Sequence, residues 1–468
     1  MRHGAWITSA LALLAATSAW AQPAGEDPPP ADPTPTPDEP ALTPDQIVTG
    51  VVAPGTEEGD RGRDVGNVLL WLPRNIIDYT FRGTAAAARF VADEQLVPRY
   101  RQWVGAPLDG NFFVFPTLFV DTGSTFSVGA RMITDSSLVT TSQRFAFGGP
   151  RDIVTESRVL FKGGAELPFA VSLESFYEIE SAKGYHGVGI RPTTDPRNQY
   201  AVGNPNVEAT YLEQHARGII ALGARLDPNF ELFLSSSVYR RQIDDSPGSD
   251  KTLNAVFVPG TVVGANIPGQ PSAGHDTWIT YAEIAARFDN REFRGRPAPG
   301  VLLEGYLGQG QSFLGEPVNY ARHGWRAAGF IPIYRRTNIL SPRLVFDRLV
   351  PLGNTPVPFY ELPRQPDFRG FDTRRDFLSL VASVDYTWQL VSFMSMRAFV
   401  DGATVAPALD EIDLDQLRHM RFAGGLGFDF YNATAILGRI AVSVSGEGPR
   451  LFLSLGTPEG FGDRQHRD

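Results

Sequence analysis

The sequence predicts an all-β fold: a transmembrane antiparallel β-barrel of about 16 strands, preceded by a short N-terminal helical segment. Three observations carry this. From about residue 111 onward, apolar and polar residues alternate with a period of two. Beyond the first 21 residues no run of about 18 apolar residues exists, so a membrane has to be crossed by strands. The chain has no cysteine, so a secreted form takes its rigidity from a closed hydrogen-bonded wall and not from disulfides.

The N-terminus sets the compartment. Arg2 and His3 form a basic tip, Ala10 to Ala16 a short apolar core, and Ala19-Trp20-Ala21 places small residues where a signal peptidase cuts. Residues 1–21 are therefore read as a secretory signal peptide. Residues 22–63 are rich in proline, as in Pro28-Pro29-Pro30 and Thr34-Pro35-Thr36-Pro37, and form an extended, disordered linker. Residues 64–110 read as a short helical periplasmic segment. Val68 to Leu72 is cut by Pro73, and Thr84 opens an alanine-rich helix that ends before Pro98. Residues 111–457 are the barrel and 458–468 a charged C-terminal tail.

Alternation is clearest between residues 378 and 390. Leu378, Leu380, Ala382, Val384, Tyr386, Trp388 and Leu390 share one face, whereas Ser379, Ser383, Asp385, Thr387 and Gln389 share the other. Phe169, Val171, Leu173, Tyr177 and Ile179 oppose Ser172, Glu174, Glu178 and Glu180 in the same way. In a membrane barrel the apolar face meets lipid and the polar face lines the lumen, with aromatics such as Tyr386 and Trp388 at the interface. The candidate strands are 112–121, 124–134, 152–163, 168–180, 206–214, 216–226, 229–243, 276–289, 300–312, 322–334, 338–348, 376–390, 393–402, 420–431, 433–445 and 449–457. About 22 residues per strand and connection leaves ~10 for the crossing and the rest for turns and loops. Long connections fall near 181–205, 244–275 and 349–375, alternating with short ones.

Composition excludes several functions. A net charge of -10 lacks the basic footprint of a nucleic-acid binder. Gly-x-Ser-x-Gly, His-Glu-x-x-His and phosphate-loop motifs are missing, and the seven histidines are scattered without ligand spacing. His186, His215 and His275 fall in or near loops. The reading is of a non-enzyme with no cofactor and no metal site. Lysine occurs only at Lys162, Lys183 and Lys251, so almost all the positive charge is arginine, which pairs with carboxylates as a planar, permanently protonated fork.

Residues 358–371 run Pro-Phe-Tyr-Glu-Leu-Pro-Arg-Gln-Pro-Asp-Phe-Arg-Gly-Phe. Within this stretch Phe368-Arg369-Gly370-Phe371 lies between the eleventh and twelfth candidate strands and resembles the loop-tip motif of the bacterial surface antigen superfamily, the BamA/TamA type of outer-membrane assembly factor. Asp289-Asn290-Arg291 followed by Pro299-Gly300 resembles that family's turn motif. Phe399-Val400-Asp401-Gly402 resembles its strand-13 motif, with the glycine one place early. The resemblance implies a Gram-negative outer-membrane location and a loop folded back into the lumen. Alternation places Ser395, Arg397, Phe399 and Asp401 on the inward face, so Arg369 is expected to meet Asp401. Asp385 and Asp429 are inward by the same count and available to share its charge. Gly370 is expected to permit the tight turn that presents the arginine.

Family members that handle proteins carry POTRA domains before the barrel, and residues 64–110 are too short and too helical to match one. Three functional readings follow: polypeptide insertion or transport across the outer membrane, a passive or gated diffusion pore, and a structural surface antigen. The expected partners are outer-membrane lipid, an unfolded or translocating polypeptide, and the general barrel-assembly machinery for the chain's own insertion.

Overall fold

The computed structural model describes residues 112–121, 127–148, 153–163, 168–198, 207–257, 268–269, 271–291, 298–334, 338–371, 373–391, 394–431 and 436–454. The signal, linker, N-terminal helical segment and C-terminal tail read from the sequence lie outside these residues. Sixteen strands follow one another: β1 (Phe112–Asp121), β2 (Ser127–Asp135), β3 (Val139–Phe147), β4 (Ile153–Lys162), β5 (Phe169–Tyr185), β6 (Ala209–Asp227), β7 (Phe230–Asp245), β8 (His275–Asp289), β9 (Gly300–Leu314), β10 (Asn319–Tyr334), β11 (Asn338–Pro351), β12 (Leu378–Val391), β13 (Met394–Ala406), β14 (Arg421–Tyr431), β15 (Ile436–Ser445) and β16 (Gly448–Ser454). Each pairs antiparallel with its sequence neighbours, and β16 returns to β1 to close the barrel. Among the described residues two short α-helices lie in the connections, α1 (Leu253–Val256) and α2 (Leu414–Arg418). No helix among the described residues is long and apolar enough to cross a membrane.

The strand count agrees with the sequence, but through two compensating errors. The expected strands at 206–214 and 216–226 are one continuous strand, β6, whose Glu213-Gln214-His215 run imitates a turn. Glu213 and His215 are buried on the lumen side. Conversely, β3 was not expected at all. Its outward face carries Thr141 and Gln143 between Val139 and Phe145, so the apolar alternation is broken. A tight turn joins it to β2, where the Ser136 hydroxyl donates to the Val139 carbonyl at 2.8 Å.

The two faces of the wall differ as a membrane demands. Phe145, Leu234, Ile284, Leu307, Val400 and Val444 point outward and are exposed. Inward, arginine meets carboxylate between neighbouring strands, Arg158 with Glu174 at 3.2 Å, Arg287 with Glu304 at 3.2 Å and Arg322 with Asp347 at 2.5 Å, and across β3 from β2 to β4, Arg131 with Glu156 at 3.1 Å. One end of the barrel has short turns such as 136–138 and 228–229. The other carries the long connections 186–208, 246–274, 352–377 and 407–420. At ~3.3 Å per residue, strands such as the 19-residue β6 rise well past a hydrocarbon core of ~30 Å even when tilted.

Candidate functional site, a plugged lumen

Among the described residues, the connection between β11 and β12, residues 352–377, is the longest stretch of buried irregular chain. Pro356, Pro358, Pro363 and Pro366 deny it a helix or a ladder strand. It holds one 3-10 turn, Phe359–Glu361, and runs through the lumen between the walls. Its side chains bury as a core would: Val357, Phe359, Tyr360, Leu362, Gln365 and Phe368 are all under 5% exposed.

Apolar contacts seat the loop in three places. Phe359 lies edge-on to Tyr185 and Tyr211, with ring centroids 4.9 and 5.5 Å away, beneath Leu253, Val256 and Phe257 of the α1 region. Val357, Leu362 and Phe377 join Ile279, Val318 and Leu349. Phe368 fills a space between Val345, Val381, Ala403 and Ala423.

Charge holds it at four points. At the loop's first turn the Glu361 carboxylate accepts from the Tyr239 and Tyr320 hydroxyls, each at 2.8 Å. Arg241 lies 3.1 Å from its other oxygen, an ion pair without hydrogen-bond alignment. Arg241 in turn reaches Glu213 at 2.5 Å, and Lys183 holds that carboxylate's second oxygen at 2.8 Å. Further on, Asp367 lies 3.2 Å from Arg326 and 3.5 Å from Arg343. At the tip, Arg369 grips Asp401 with its backbone N–H at 2.9 Å, Nε at 2.8 Å and a terminal nitrogen at 2.5 Å. The same nitrogen reaches Asp385 at 2.5 Å, and the guanidinium lies 3.7 Å above the Phe399 ring. At the loop's exit, Asp376 takes a bidentate pair from Arg197 at 2.7 and 2.8 Å.

Of the residues singled out from the sequence, the structure brings Phe368, Arg369, Gly370, Asp385 and Asp401 together. Asp429 does not touch Arg369. It is held by Arg397 at 3.1 Å and Arg439 at 2.8 Å, and joins the group only through Arg397, which also lies 3.4 Å from Asp385. Gly370 is not left-handed, so the expected tight-turn role is replaced by a steric one: a Cβ there would lie 2.4 Å from the Phe368 ring, which folds back over it. Phe371 contributes its carbonyl, which accepts from Arg421. The turn motif is a separate structure at the short-turn end. Arg291 pairs with Asp289 at 2.8 and 2.9 Å, and the Asn290 side chain accepts from the Val301 N–H at 2.7 Å. Gly300, after Pro299, has φ +146°, and a Cβ would meet Asn290 and the Arg291 backbone within 2.9 Å.

Glu361 and its partners were missed by sequence reasoning. Tyr239 and Arg241 share the inward parity of β7, but nothing local says which loop carboxylate they meet. The Asp376–Arg197 pair joins two loops and leaves no periodic signal.

The Omp85 superfamily domain matches residues 192–443. The chain belongs to the Omp85 superfamily. No curated protein sequence matches it. Among solved structures this Omp85 barrel is similar to BamA from Haemophilus ducreyi lacking POTRA domains 1–3, at 13% identity over 74% of this chain and 70% of that one, TM-score 0.49. It is similar also to CdiB from Acinetobacter baumannii (10% identity, 73% of this chain, 60% of that one, TM-score 0.42) and to CdiB from Escherichia coli (9%, 73%, 62%, TM-score 0.45). The Omp85 barrel thus spans less than two thirds of either CdiB chain.

Proposed function

We propose that this Omp85 barrel inserts or moves polypeptide at the outer membrane of a Gram-negative bacterium, reaching it through the N-terminal signal and the general barrel-assembly machinery. The long-loop end would face outward and the short turns the periplasm. The observation that carries the reading is the seam. Among the described residues β1 and β16 share two register pairs, Val120 with Leu453 and Asp121 with Phe452, against eight between β1 and β2 and seven between β15 and β16. A ladder this short is the cheapest place for the wall to part towards lipid, because few hydrogen bonds are lost. Its test uses the absence of native cysteine. Cysteines at positions 120 and 453 are expected to bond under oxidation. Cells carrying the oxidised barrel as their sole copy are then expected to lose outer-membrane proteins that the reduced barrel supports. An unchanged outer-membrane proteome in the locked state defeats the lateral-opening reading.

A gated diffusion pore is the second reading, favoured by the observation that one loop occupies the lumen. Sixteen strands enclose a channel wide enough for water unless something fills it. The intact protein in planar bilayers is expected to conduct little and to fluctuate, and deletion of residues 360–374 to raise conductance. Steady large steps from the intact chain favour an open porin instead.

A further inference from the structure

The connection between β13 and β14, residues 407–420, does not fold over the lumen as the plug does. Pro407 ends β13, a 3-10 turn follows at Leu409–Glu411, and α2 is capped by Asp413, whose side chain accepts from the Gln416 N–H at 2.8 Å. Ile412 packs against the cluster of Phe346, Leu378 and Ala406, against which Leu380 also packs. These four point outward, since their sequence neighbours Val345, Asp347 and Ser379 point to the lumen and the plug. Leu378 and Ala406 are on the lipid face yet fully buried. The connection therefore laps over the outside of the wall and covers the top of the apolar belt.

Two bonds hold this lip in place. Gln416 donates to the Val405 carbonyl at 2.5 Å, and His419 meets Arg191 of the β5–β6 connection at 2.5 Å. Beside it Trp325, half-exposed, stacks on Phe346 with centroids 5.9 Å apart, the aromatic placement of a membrane interface. The lip leaves two large apolar side chains uncovered, Leu409 at 56% and Leu417 at 39%, while Asp410, Glu411 and Asp413 stay exposed around them. Exposed leucines on a connection whose Ile412 packs on the lipid-facing belt, edged by carboxylates, are the arrangement of an element that lies in the interfacial plane.

We propose that the lip at 407–420 is a membrane-contact element, with Leu409 and Leu417 seated among the upper acyl chains of the outer leaflet and the carboxylates in the headgroup water. This rests on the membrane-spanning reading of the barrel, so the experiment carries a control for that reading. Single cysteines at 409 and 417 are labelled with an environment-sensitive fluorophore, and the folded barrel is reconstituted in phosphatidylcholine vesicles with shallow doxyl-labelled lipid or with aqueous iodide. Cysteine at Val400, in mid-belt and 59% exposed, serves as the lipid reference, and cysteine at Lys251, on the β7–β8 connection, as the water reference. Labels at 409 and 417 are expected to be quenched several-fold more by shallow doxyl lipid than the label at 251, and several-fold less by iodide. If either follows the water reference, the proposal is overturned. Protection from both quenchers means protein cover, as by a second copy, and overturns it equally. Should the label at 400 also read as water, the membrane-spanning reading falls and the lip falls with it.

Discussion

Strands β5 to β13 run 13 to 19 residues, whereas β1 to β4 and β14 to β16 run 7 to 11. The two walls hold the plug differently. On the long side, Arg241, Tyr239 and Tyr320 take Glu361, Arg326 and Arg343 take Asp367, and Asp385 and Asp401 take Arg369, all as side-chain contacts away from bulk water. On the short side, Ser443 donates to the Arg369 carbonyl at 2.5 Å and Arg450 to that of Gly370, while Glu447 in the β15–β16 turn pairs with Arg374 at 3.4 Å and accepts from Thr373 at 3.1 Å in a partly exposed setting. Buried ion pairs are costly to leave half-made, whereas a backbone carbonyl is readily given to water. The long wall thus grips the plug through buried charges, and the short wall through carbonyls and a partly exposed ion pair.

Breaking the long wall's grip should have the largest effect. Arg241→Ala leaves the buried Glu361 and Glu213 carboxylates with Lys183 as the remaining cation at Glu213, and is expected to cost about 3–5 kcal/mol. The temperature at which the compact folded band is lost on a gel measures it. A loss below about 1 kcal/mol would mean that this wall does not hold the loop.

At the tip the effect should be somewhat smaller and should not be additive. Arg369→Ala strands Asp401, which is fully buried, and is expected to cost about 2–4 kcal/mol. Asp401→Ala costs less, because Asp385 still holds the arginine. The double variant should be little worse than Arg369→Ala alone, and strictly additive losses in the same melting assay would show that the two residues do not interact.

The smallest effect sharpens the comparison by pH. His186, just beyond β5, is pushed down to about 4 by burial and by Arg374, Arg375 and Arg421 nearby. Its ordinary value is 6.5, so between those limits the unfolded chain takes up a proton that the folded chain refuses. Stability is therefore intact above pH 6.5 and falls as the pH drops towards 4. His186→Gln should remove this part, worth about 1 kcal/mol at pH 5 once its partial exposure is allowed for. Equal acid sensitivity of the variant and the parent between pH 7 and 5 would refute it.

The barrel and its tip were legible because both are written locally. Parity along a strand tells lumen from lipid, and one motif marks Arg369, so Asp401 and Asp385 followed from counting. Where outward positions carry Thr141 and Gln143, parity says nothing and β3 disappears; where lumen residues Glu213 and His215 cluster, a strand looks broken. The Glu361 anchor depends on which loop residue descends between β7 and β10, a long-range fact that no period encodes. The outward fold of residues 407–420 was hidden for the same reason, since Ile412 is apolar in either direction.

Arg450 stands on β16, the strand that would leave β1 in the proposed lateral opening, and it holds the carbonyls of both Gly370 and Phe368. In that opening these bonds would make the tip a follower of the moving strand. An outward swing of β16 would then pull on the loop while Arg369 is still fastened to β12 and β13, so that the first part of the motion would be resisted by a tether. Such a linkage would set a threshold: only a displacement large enough to pull the arginine from the carbonyls would carry through to opening.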